Sequence, residues 1–180
     1  MVYVLLGNGF EETEAVAPID LMRRAGIDVT TVGLNGQTVV SSHKIVFVPD
    51  VTIEETEFED LEMIVLPGGL GGVASARACP KALDALKKAW HSGKFVAAIC
   101  AGPTVLADLH ITDGLRATCF PGCESGMGSA VMESGKATVT DGKLITGTSA
   151  GCAVPFGLAL VKALKGEAEA ERIEKQIVIR

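Results

Sequence analysis

The chain has 180 residues, of which 48% are hydrophobic and 21% are charged, and its formal net charge is -6 with an isoelectric point near 5.1. This composition is typical of a globular chain long enough for one well-buried domain, so we expect a single domain over residues 1–180. The acidic balance, which no basic patch offsets, argues against a nucleic acid or an anionic membrane as partner. We expect a small molecule or a protein instead.

The cysteine count and the hydropathy pattern favour a cytoplasmic location. The chain opens on the apolar run Val2–Leu6 without a basic leader, and no apolar run reaches membrane-spanning length before Gly, Pro or a charge interrupts it. An odd number of cysteines without the spacing of a disulfide framework is typical of a reducing compartment. The five are Cys79, Cys100, Cys119, Cys123 and Cys152.

In the first half of the chain, buried strands alternate with amphipathic helices. The first strand ends at Gly7-Asn8-Gly9, and the helix that follows has acidic residues in its first turn and ends at Gly26. Apolar or β-branched runs predict further strands at 28–34 and 61–66, with a hairpin formed by 38–40 and 44–48 between them. A glycine-rich turn, 68–72, implies a close backbone approach.

The second half continues the alternation. The pattern predicts a helix over Pro80–His91, a strand over 94–99 and a helix that ends at about His110. A short strand at 116–120 and a loop or short helix at 124–135 follow. The last elements are a local hairpin of 137–140 with 143–146 and two helices that end at Gly166 and near Lys175. This order predicts a doubly wound α/β sandwich with a mostly parallel sheet, in which ligands bind at the carboxyl ends of the strands.

Cys100 lies where the apolar run 94–99 changes into a helix that starts near Gly102-Pro103. A sharp strand-to-helix turn of this kind exposes its side chain above the sheet, holds it in an unusual backbone conformation and aims a helix N-terminus at it. These effects favour a thiolate nucleophile. The alternative is that Cys100 is a small buried hydrophobic residue, as most unpaired cysteines are.

Two other turns should meet Cys100 at the same sheet edge, namely 9–14 and 68–72. Backbone N–H groups of Gly69 or Leu70 and of Ala101 would form an oxyanion site there. The alternative is that the glycines only make a tight strand-to-helix turn. Glu14, if buried and protonated, would donate a hydrogen bond to the thiolate and lower the pKa of Cys100. The alternative for Glu14 is a simple helix-start charge, which we expect for Glu11 and Glu12.

Nucleotide and metal sites are not supported by the motifs. The first turn, Gly7-Asn8-Gly9-Phe10-Glu11-Glu12, has acids where a dinucleotide fingerprint needs its third glycine, and 68–72 lacks the Gly-Lys-Ser/Thr ending of a phosphate loop. Cys119, Cys123 and His110 do not have the spacing of a zinc site. We therefore expect no metal and no cofactor.

Four segments together resemble the ThiJ/PfpI superfamily, and within it the branch of the parkinsonism-associated deglycase: 9–14 (Gly-Phe-Glu-Glu-Thr-Glu), 23–27 (Arg-Arg-Ala-Gly-Ile), 65–69 (Val-Leu-Pro-Gly-Gly) and 97–103 (Ala-Ala-Ile-Cys-Ala-Gly-Pro). The resemblance runs from Met1 to about Gly166. It implies a flavodoxin-like three-layer sandwich that usually forms a homodimer, with Cys100 as the reactive cysteine and Glu14 as its carboxyl partner. It also implies anion-binding amides at Gly69 and Ala101, and Arg24 near a dimer interface close to the site.

The sequence departs from the family pattern at several positions. Peptidase-like members carry a histidine directly after the cysteine, where this chain has Ala101, so a peptidase is not expected. Many members of the deglycase branch have a histidine where this chain has Phe120, and a turn that contains arginine in parts of the branch is Thr148-Ser149-Ala150-Gly151 here. A basic residue of the second hairpin strand is His43.

The resemblance implies an enzyme that acts on reactive carbonyls without a cofactor. Cys100 would add to an aldehyde such as methylglyoxal, or to its early adduct on a glycated protein, and Glu14 would shuttle protons until a hydroxy acid is released. The alternative is an oxidative-stress sensor or redox-regulated chaperone in which Cys100 oxidises to a sulfinate.

Overall fold

The computed structural model describes residues 1–179. Within that range the strands are β1 (Val2–Leu6), β2 (Val29–Gly33), β3 (Val39–Val40), β4 (Val46–Phe47), β5 (Val51–Thr52), β6 (Met63–Leu66), β7 (Phe95–Ile99), β8 (Arg116–Ala117), β9 (Val131–Met132), β10 (Thr138–Asp141) and β11 (Leu144–Gly147). The α-helices are α1 (Glu12–Arg24), α2 (Leu70–Arg77), α3 (Pro80–His91), α4 (Pro103–Asp108), α5 (Ala153–Lys165) and α6 (Glu167–Gln176).

A seven-stranded sheet in the order β10-β11-β7-β6-β1-β2-β5 forms the centre of the molecule. Its neighbours are parallel except for the antiparallel pair β10–β11. The predicted α/β sandwich with a mostly parallel sheet is therefore confirmed, as is the small hairpin, β3–β4. Within residues 1–179, no helix has both the length and the apolar character that a membrane crossing needs.

Residues of the central strands are buried on both faces of the sheet, which explains their continuous apolar runs. In β1, Tyr3 and Leu5 pack into one core cluster, and Val2, Val4 and Leu6 pack into the cluster on the opposite face. Because the strands are parallel, the carboxyl ends of β1, β6, β7 and β11 lie along one edge of the sheet. That edge receives the turns that carry the predicted site.

The structure differs from the sequence predictions at several places. Residues 70–77 form the helix α2, whereas the sequence predicted a turn at 68–72 and no element for 73–77, and the strands β5 and β9 were not predicted. The hairpin β10–β11 is not a local feature, because β11 also pairs in parallel with β7. The strand predicted at 116–120 is limited to β8, which pairs with β9 outside the central sheet, because the chain turns away toward Cys100 after Ala117.

Candidate active site

Cys100 lies on the turn between β7 and α4, in a left-handed backbone conformation with φ of 66°. This conformation is strained for a residue other than glycine and costs on the order of 1 kcal/mol. Hydrogen bonds from neighbouring segments hold it, since the Cys100 N–H donates to the carbonyl of Gly147 at 2.9 Å and its carbonyl accepts from the N–H of Phe120 at 2.8 Å. Cys100 as a whole residue is half-buried.

Glu14 brings a carboxyl group to this thiol from the first turn of α1. Its side chain is only 1% exposed. The Gly68 N–H donates to Glu14 Oε2 at 2.9 Å. The Cys100 thiol lies close enough to the same carboxyl group for each of the two groups to shift the pKa of the other. Glu11 fixes the start of the helix, because its carboxylate accepts from the Glu14 N–H at 2.7 Å. Glu14 is thus a partner of the thiol and not a solvated helix-start charge.

Two backbone amides complete the surroundings of the sulfur. The N–H groups of Gly69 and Ala101 face the Cys100 sulfur and act to lower its pKa. Gly69 has φ of 84° and its Cα lies against the turn after β1, where an added Cβ would come within 2.4 Å of the Gly9 carbonyl oxygen. Leu70, the alternative amide donor in the sequence prediction, begins α2 and is not a donor to the sulfur among the described contacts. The glycine-rich turn therefore leads into a helix and also presents an amide to the thiol.

Burial is the largest influence on the pKa values of Glu14 and Cys100. Burial raises the pKa of Glu14 to about 7, although the hydrogen bonds from Cys100 and Gly68 act in the opposite direction. Burial, followed by the negative charge of Glu14, raises the pKa of Cys100 to about 12, against the amides of Ala101 and Gly69. Near neutral pH the pair therefore consists of a thiol and a carboxyl group that is close to half ionised.

Two expectations about the pair have different outcomes. The pKa of Cys100 is raised, whereas the turn was expected to favour a thiolate, but Glu14 is buried and its pKa is raised, as its expected role as a protonated donor requires. The helix that follows the cysteine, α4, has only six residues, and the two largest causes acting on the Cys100 pKa are burial and the charge of Glu14. A carboxylate that accepts the thiol proton stabilises the thiol and not the thiolate. The arrangement is that of a nucleophile with an adjacent general base whose pKa is close to neutral.

A series of hydrogen bonds between side chains, which the sequence reasoning did not detect, supports the turn that carries Cys100. The Thr104 hydroxyl donates to the Ala101 carbonyl at 2.7 Å and accepts from Arg77 at 2.9 Å. Arg77 also pairs with Asp108 at 2.8 Å. These contacts link α2 to α4 and hold the Ala101 carbonyl, which belongs to the peptide group after the one whose N–H faces the sulfur. No local motif marks them, because the residues come from two separate helices.

Gly68 is the position at which an added methyl group would disturb the site most directly. A Cβ there would come within 2.5 Å of both the Cys100 Cβ and Glu14 Oε2. We expect Gly68→Ala to lower the free energy of unfolding by about 1–3 kcal/mol, measured by urea denaturation. Gly151→Ala is the control, since its nearest neighbour would be 3.9 Å away, and we expect a change within about 0.5 kcal/mol. Equal stabilities of the two variants would contradict the described packing.

The sequence analysis singled out two further positions, Arg24 and Phe120. Arg24 is at the opposite end of α1, about 15 Å along the helix from Glu14, and forms an ion pair with Asp20 at 2.6 Å. Within one chain it does not reach Cys100, so its role at a dimer interface stays a prediction. Phe120 replaces the expected histidine and is 45% exposed beside the Cys100 carbonyl.

The groups that could hold a metal ion are engaged with other protein atoms. Potential ligand atoms of Glu11, Glu12 and His43 lie within 4.8 Å of one another. However, Glu12 contacts His43 Nδ1 at 2.6 Å, and Glu11 caps α1. His110, which the sequence placed near Cys119 and Cys123 as a conceivable ligand, instead pairs with Asp113 at 3.0 Å.

Comparisons with known proteins find relatives that match nearly the whole chain. Residues 1–163 match the DJ-1/PfpI family. Protein dj-1beta of Drosophila melanogaster is 34% identical over 98% of this chain and 95% of its own length, and its crystal structure superimposes with a TM-score of 0.93 over 99% of this chain and 97% of that one. The Parkinson disease protein 7 homolog of Danio rerio is 34% identical over 98% of this chain and 96% of its own.

A further relative carries an activity in its name. The glutathione-independent glyoxalase DJR-1.2 of Caenorhabditis elegans is 29% identical over 94% of this chain and 90% of its own length. The similarity to all these proteins extends over nearly the whole chain and includes the segments that form the Cys100 site. The expected superfamily is thereby confirmed, and the chain belongs to the DJ-1/PfpI family.

Proposed function

We propose that the protein is a cysteine-dependent enzyme that converts reactive carbonyl compounds such as methylglyoxal into hydroxy acids without a cofactor. The observation that carries this proposal is the contact between the half-buried thiol of Cys100 and the buried carboxyl group of Glu14, whose pKa is about 7. A nucleophile beside a base that is close to half ionised at neutral pH suits carbonyl addition. The glyoxalase name of the Caenorhabditis elegans relative supports the same class of substrate.

In the first step, the Cys100 sulfur attacks the aldehyde carbon of methylglyoxal. The S–C bond forms while the thiol proton passes to the carboxylate of Glu14. The carbonyl oxygen becomes an alkoxide two bonds from the sulfur, near the Gly69 and Ala101 N–H groups that face this sulfur and would stabilise the negative charge. Glu14 then returns the proton to the alkoxide, and the product is a neutral hemithioacetal.

In the second step, Glu14 transfers a proton between the two substrate carbons. It removes the hydrogen of the former aldehyde carbon, which gives an enediolate, and delivers it to the neighbouring ketone carbon, while the hydroxyl proton of the hemithioacetal passes to the former ketone oxygen. One carbon is oxidised and the other reduced, so no external oxidant is needed. Water hydrolyses the resulting thioester, which releases lactate and restores the Cys100 thiol.

Conversion of methylglyoxal by the wild-type protein tests the proposal. The protein, dialysed against a chelator, is incubated with methylglyoxal in the absence of glutathione, and both D-lactate and L-lactate are quantified by chiral chromatography. We expect one lactate for each methylglyoxal consumed, over many turnovers. Consumption that stops after one equivalent of protein, or that yields no lactate, would contradict the proposed reaction.

Three finer expectations accompany this proposal. Release of methylglyoxal adducts from glycated proteins would use the same Cys100–Glu14 chemistry, and the homodimer and the cytoplasmic location stay predictions from the sequence.

The redox alternative also has an observation in its favour, because a protonated Glu14 beside Cys100 can donate a hydrogen bond to a cysteine sulfinate. The raised pKa of Cys100 opposes it, since the thiolate is the form that peroxide oxidises.

A further inference from the structure

Arg77 and Thr104 form a hydrogen-bond relay that ends at the residue after the nucleophile. Arg77 is the last residue of α2, and Thr104 lies in α4 with only 7% of its surface exposed. The Arg77 guanidinium donates to the Thr104 hydroxyl at 2.9 Å, and that hydroxyl donates to the Ala101 carbonyl at 2.7 Å. The relay therefore connects the end of one helix with the residue whose N–H faces the Cys100 sulfur.

The chemistry of the groups fixes the direction of both hydrogen bonds. An arginine side chain can only donate, so the Thr104 hydroxyl has to accept from Arg77. Because a hydroxyl carries a single proton, that proton is left to point at the Ala101 carbonyl. The Thr104 N–H donates to the same carbonyl at 3.1 Å, so two donors hold it. Arg77 thus orients a hydroxyl that would otherwise be free to rotate.

The peptide group that carries the Ala101 N–H lies between two points that are held by hydrogen bonds. Its own oxygen, the Cys100 carbonyl, accepts from the Phe120 N–H at 2.8 Å. The next peptide group begins with the Ala101 carbonyl, which the relay holds. Cys100 itself has φ of 66°, and such a strained conformation persists only when its surroundings over-determine it. The relay is one of the restraints that keep the Ala101 N–H facing the sulfur.

The same arginine joins the two elements that supply the amides of the site. Gly69 directly precedes α2, and Ala101 lies in the turn before α4. Arg77 bonds to Thr104 and, through Nε at 2.8 Å, to Asp108 of the same helix α4. The forked guanidinium serves both partners at once, which the single ammonium group of a lysine cannot do with this geometry. The bridge therefore restrains the spacing between the Gly69 and Ala101 N–H groups.

We propose that Arg77 is a positioning residue that acts through Thr104 to align the Ala101 N–H with the alkoxide formed on the substrate. This inference rests on the proposed function. An amide aimed at a developing negative charge contributes more in the transition state than with the neutral substrate, so the relay acts on kcat and not on KM. In this role Arg77 does not contact the substrate.

The test measures lactate formation from methylglyoxal by the wild-type protein and by Arg77→Met, Thr104→Val and Thr104→Ser. Methionine and valine cannot take part in the relay, because they carry no N–H or O–H donor in the side chain. We expect Arg77→Met and Thr104→Val each to lower kcat about tenfold, with KM within about twofold, because a misplaced amide is less damaging than a removed one. Thr104→Ser keeps the hydroxyl and should stay within about threefold of the wild-type kcat. Packing alone predicts the reverse order, since valine keeps the methyl group that serine loses.

A reaction of Cys100 that forms no alkoxide shows whether the thiol itself is intact. In alkylation by iodoacetamide, the sulfur loses its proton and displaces iodide. We expect the rate of Cys100 alkylation, followed by mass spectrometry, to stay within about threefold of wild type in all three variants. The control for the loss of an arginine that bridges two helices is Arg172→Met. Arg172 pairs with Glu169 and donates to the Arg24 carbonyl, at the end of α1 away from Glu14, so this variant should keep the wild-type kcat.

The outcomes separate this inference from the proposed function. A wild-type protein that forms lactate, with Arg77→Met and Thr104→Val within about twofold of its kcat, overturns the positioning role alone. Equal losses in lactate formation and in alkylation overturn it as well, since they indicate a general disturbance of the turn at Cys100. A Thr104→Ser variant that loses more activity than Thr104→Val has the same consequence. A wild-type protein that forms no lactate removes the proposed function and the inference with it.

Discussion

Cys100→Ser is expected to lower kcat/KM for methylglyoxal by at least about a thousandfold, because removing the nucleophile of a covalent mechanism eliminates the pathway and leaves only positioning effects. A serine hydroxyl is a far weaker nucleophile than a thiol and requires a much stronger base than a carboxyl group with a pKa of about 7. Serine preserves the size of the side chain at this strained turn, so the loss should appear in turnover and not in folding.

A matched control for this substitution is Cys79→Ser. Cys79 is also half-buried, but it precedes the first residue of α3, where a serine side chain is a favourable helix cap. We expect Cys79→Ser to keep the wild-type rate of lactate formation and the wild-type thermal midpoint. If Cys100→Ser and Cys79→Ser form lactate at the same rate, Cys100 is not the nucleophile.

Glu14→Gln is expected to lower kcat/KM by about a hundredfold to ten-thousandfold, the usual contribution of a positioned general base. Glutamine retains the size of the side chain and an oxygen that accepts from the Gly68 N–H, but it cannot take the thiol proton. The control is Glu12→Gln, since Glu12 lies two residues earlier in the same helical turn and contacts Ser42 and His43 instead of the thiol. We expect Glu12→Gln to stay within about threefold of the wild-type rate.

The position of Cys100 could be predicted because its signal is local. An uninterrupted apolar run followed by Gly102-Pro103 indicates a buried strand and the first residues of a helix, and Cys100 is the first residue of the short turn between them. The sequence pattern also indicated that Glu14 is buried. Glu14 shares the spacing of the buried α1 residues Pro18, Leu21 and Met22, which places its side chain on the face toward the sheet.

Other features depend on contacts between distant parts of the chain. The helix α2 is rich in glycine and alanine and only weakly amphipathic, so packing against the rest of the protein has to stabilise it. The pairing of β11 with β7 joins residues about fifty positions apart, and a hairpin pattern does not specify a neighbour on its other side. The raised pKa of Cys100 has the same origin, because burial and the approach of Glu14 arise only in the folded chain.

The pH dependence of kcat/KM for methylglyoxal tests the central claim, the transfer of the Cys100 proton to Glu14, most directly. The base must be ionised, so kcat/KM of the wild-type protein should rise with pH through an apparent pKa of about 7, the value for Glu14 in the pair, and level off above it. In Glu14→Gln this inflection should be lost, and the residual rate should increase only as Cys100 itself ionises at alkaline pH. A wild-type profile that is flat between pH 5 and pH 8, or that superimposes on the Glu14→Gln profile, would contradict the account.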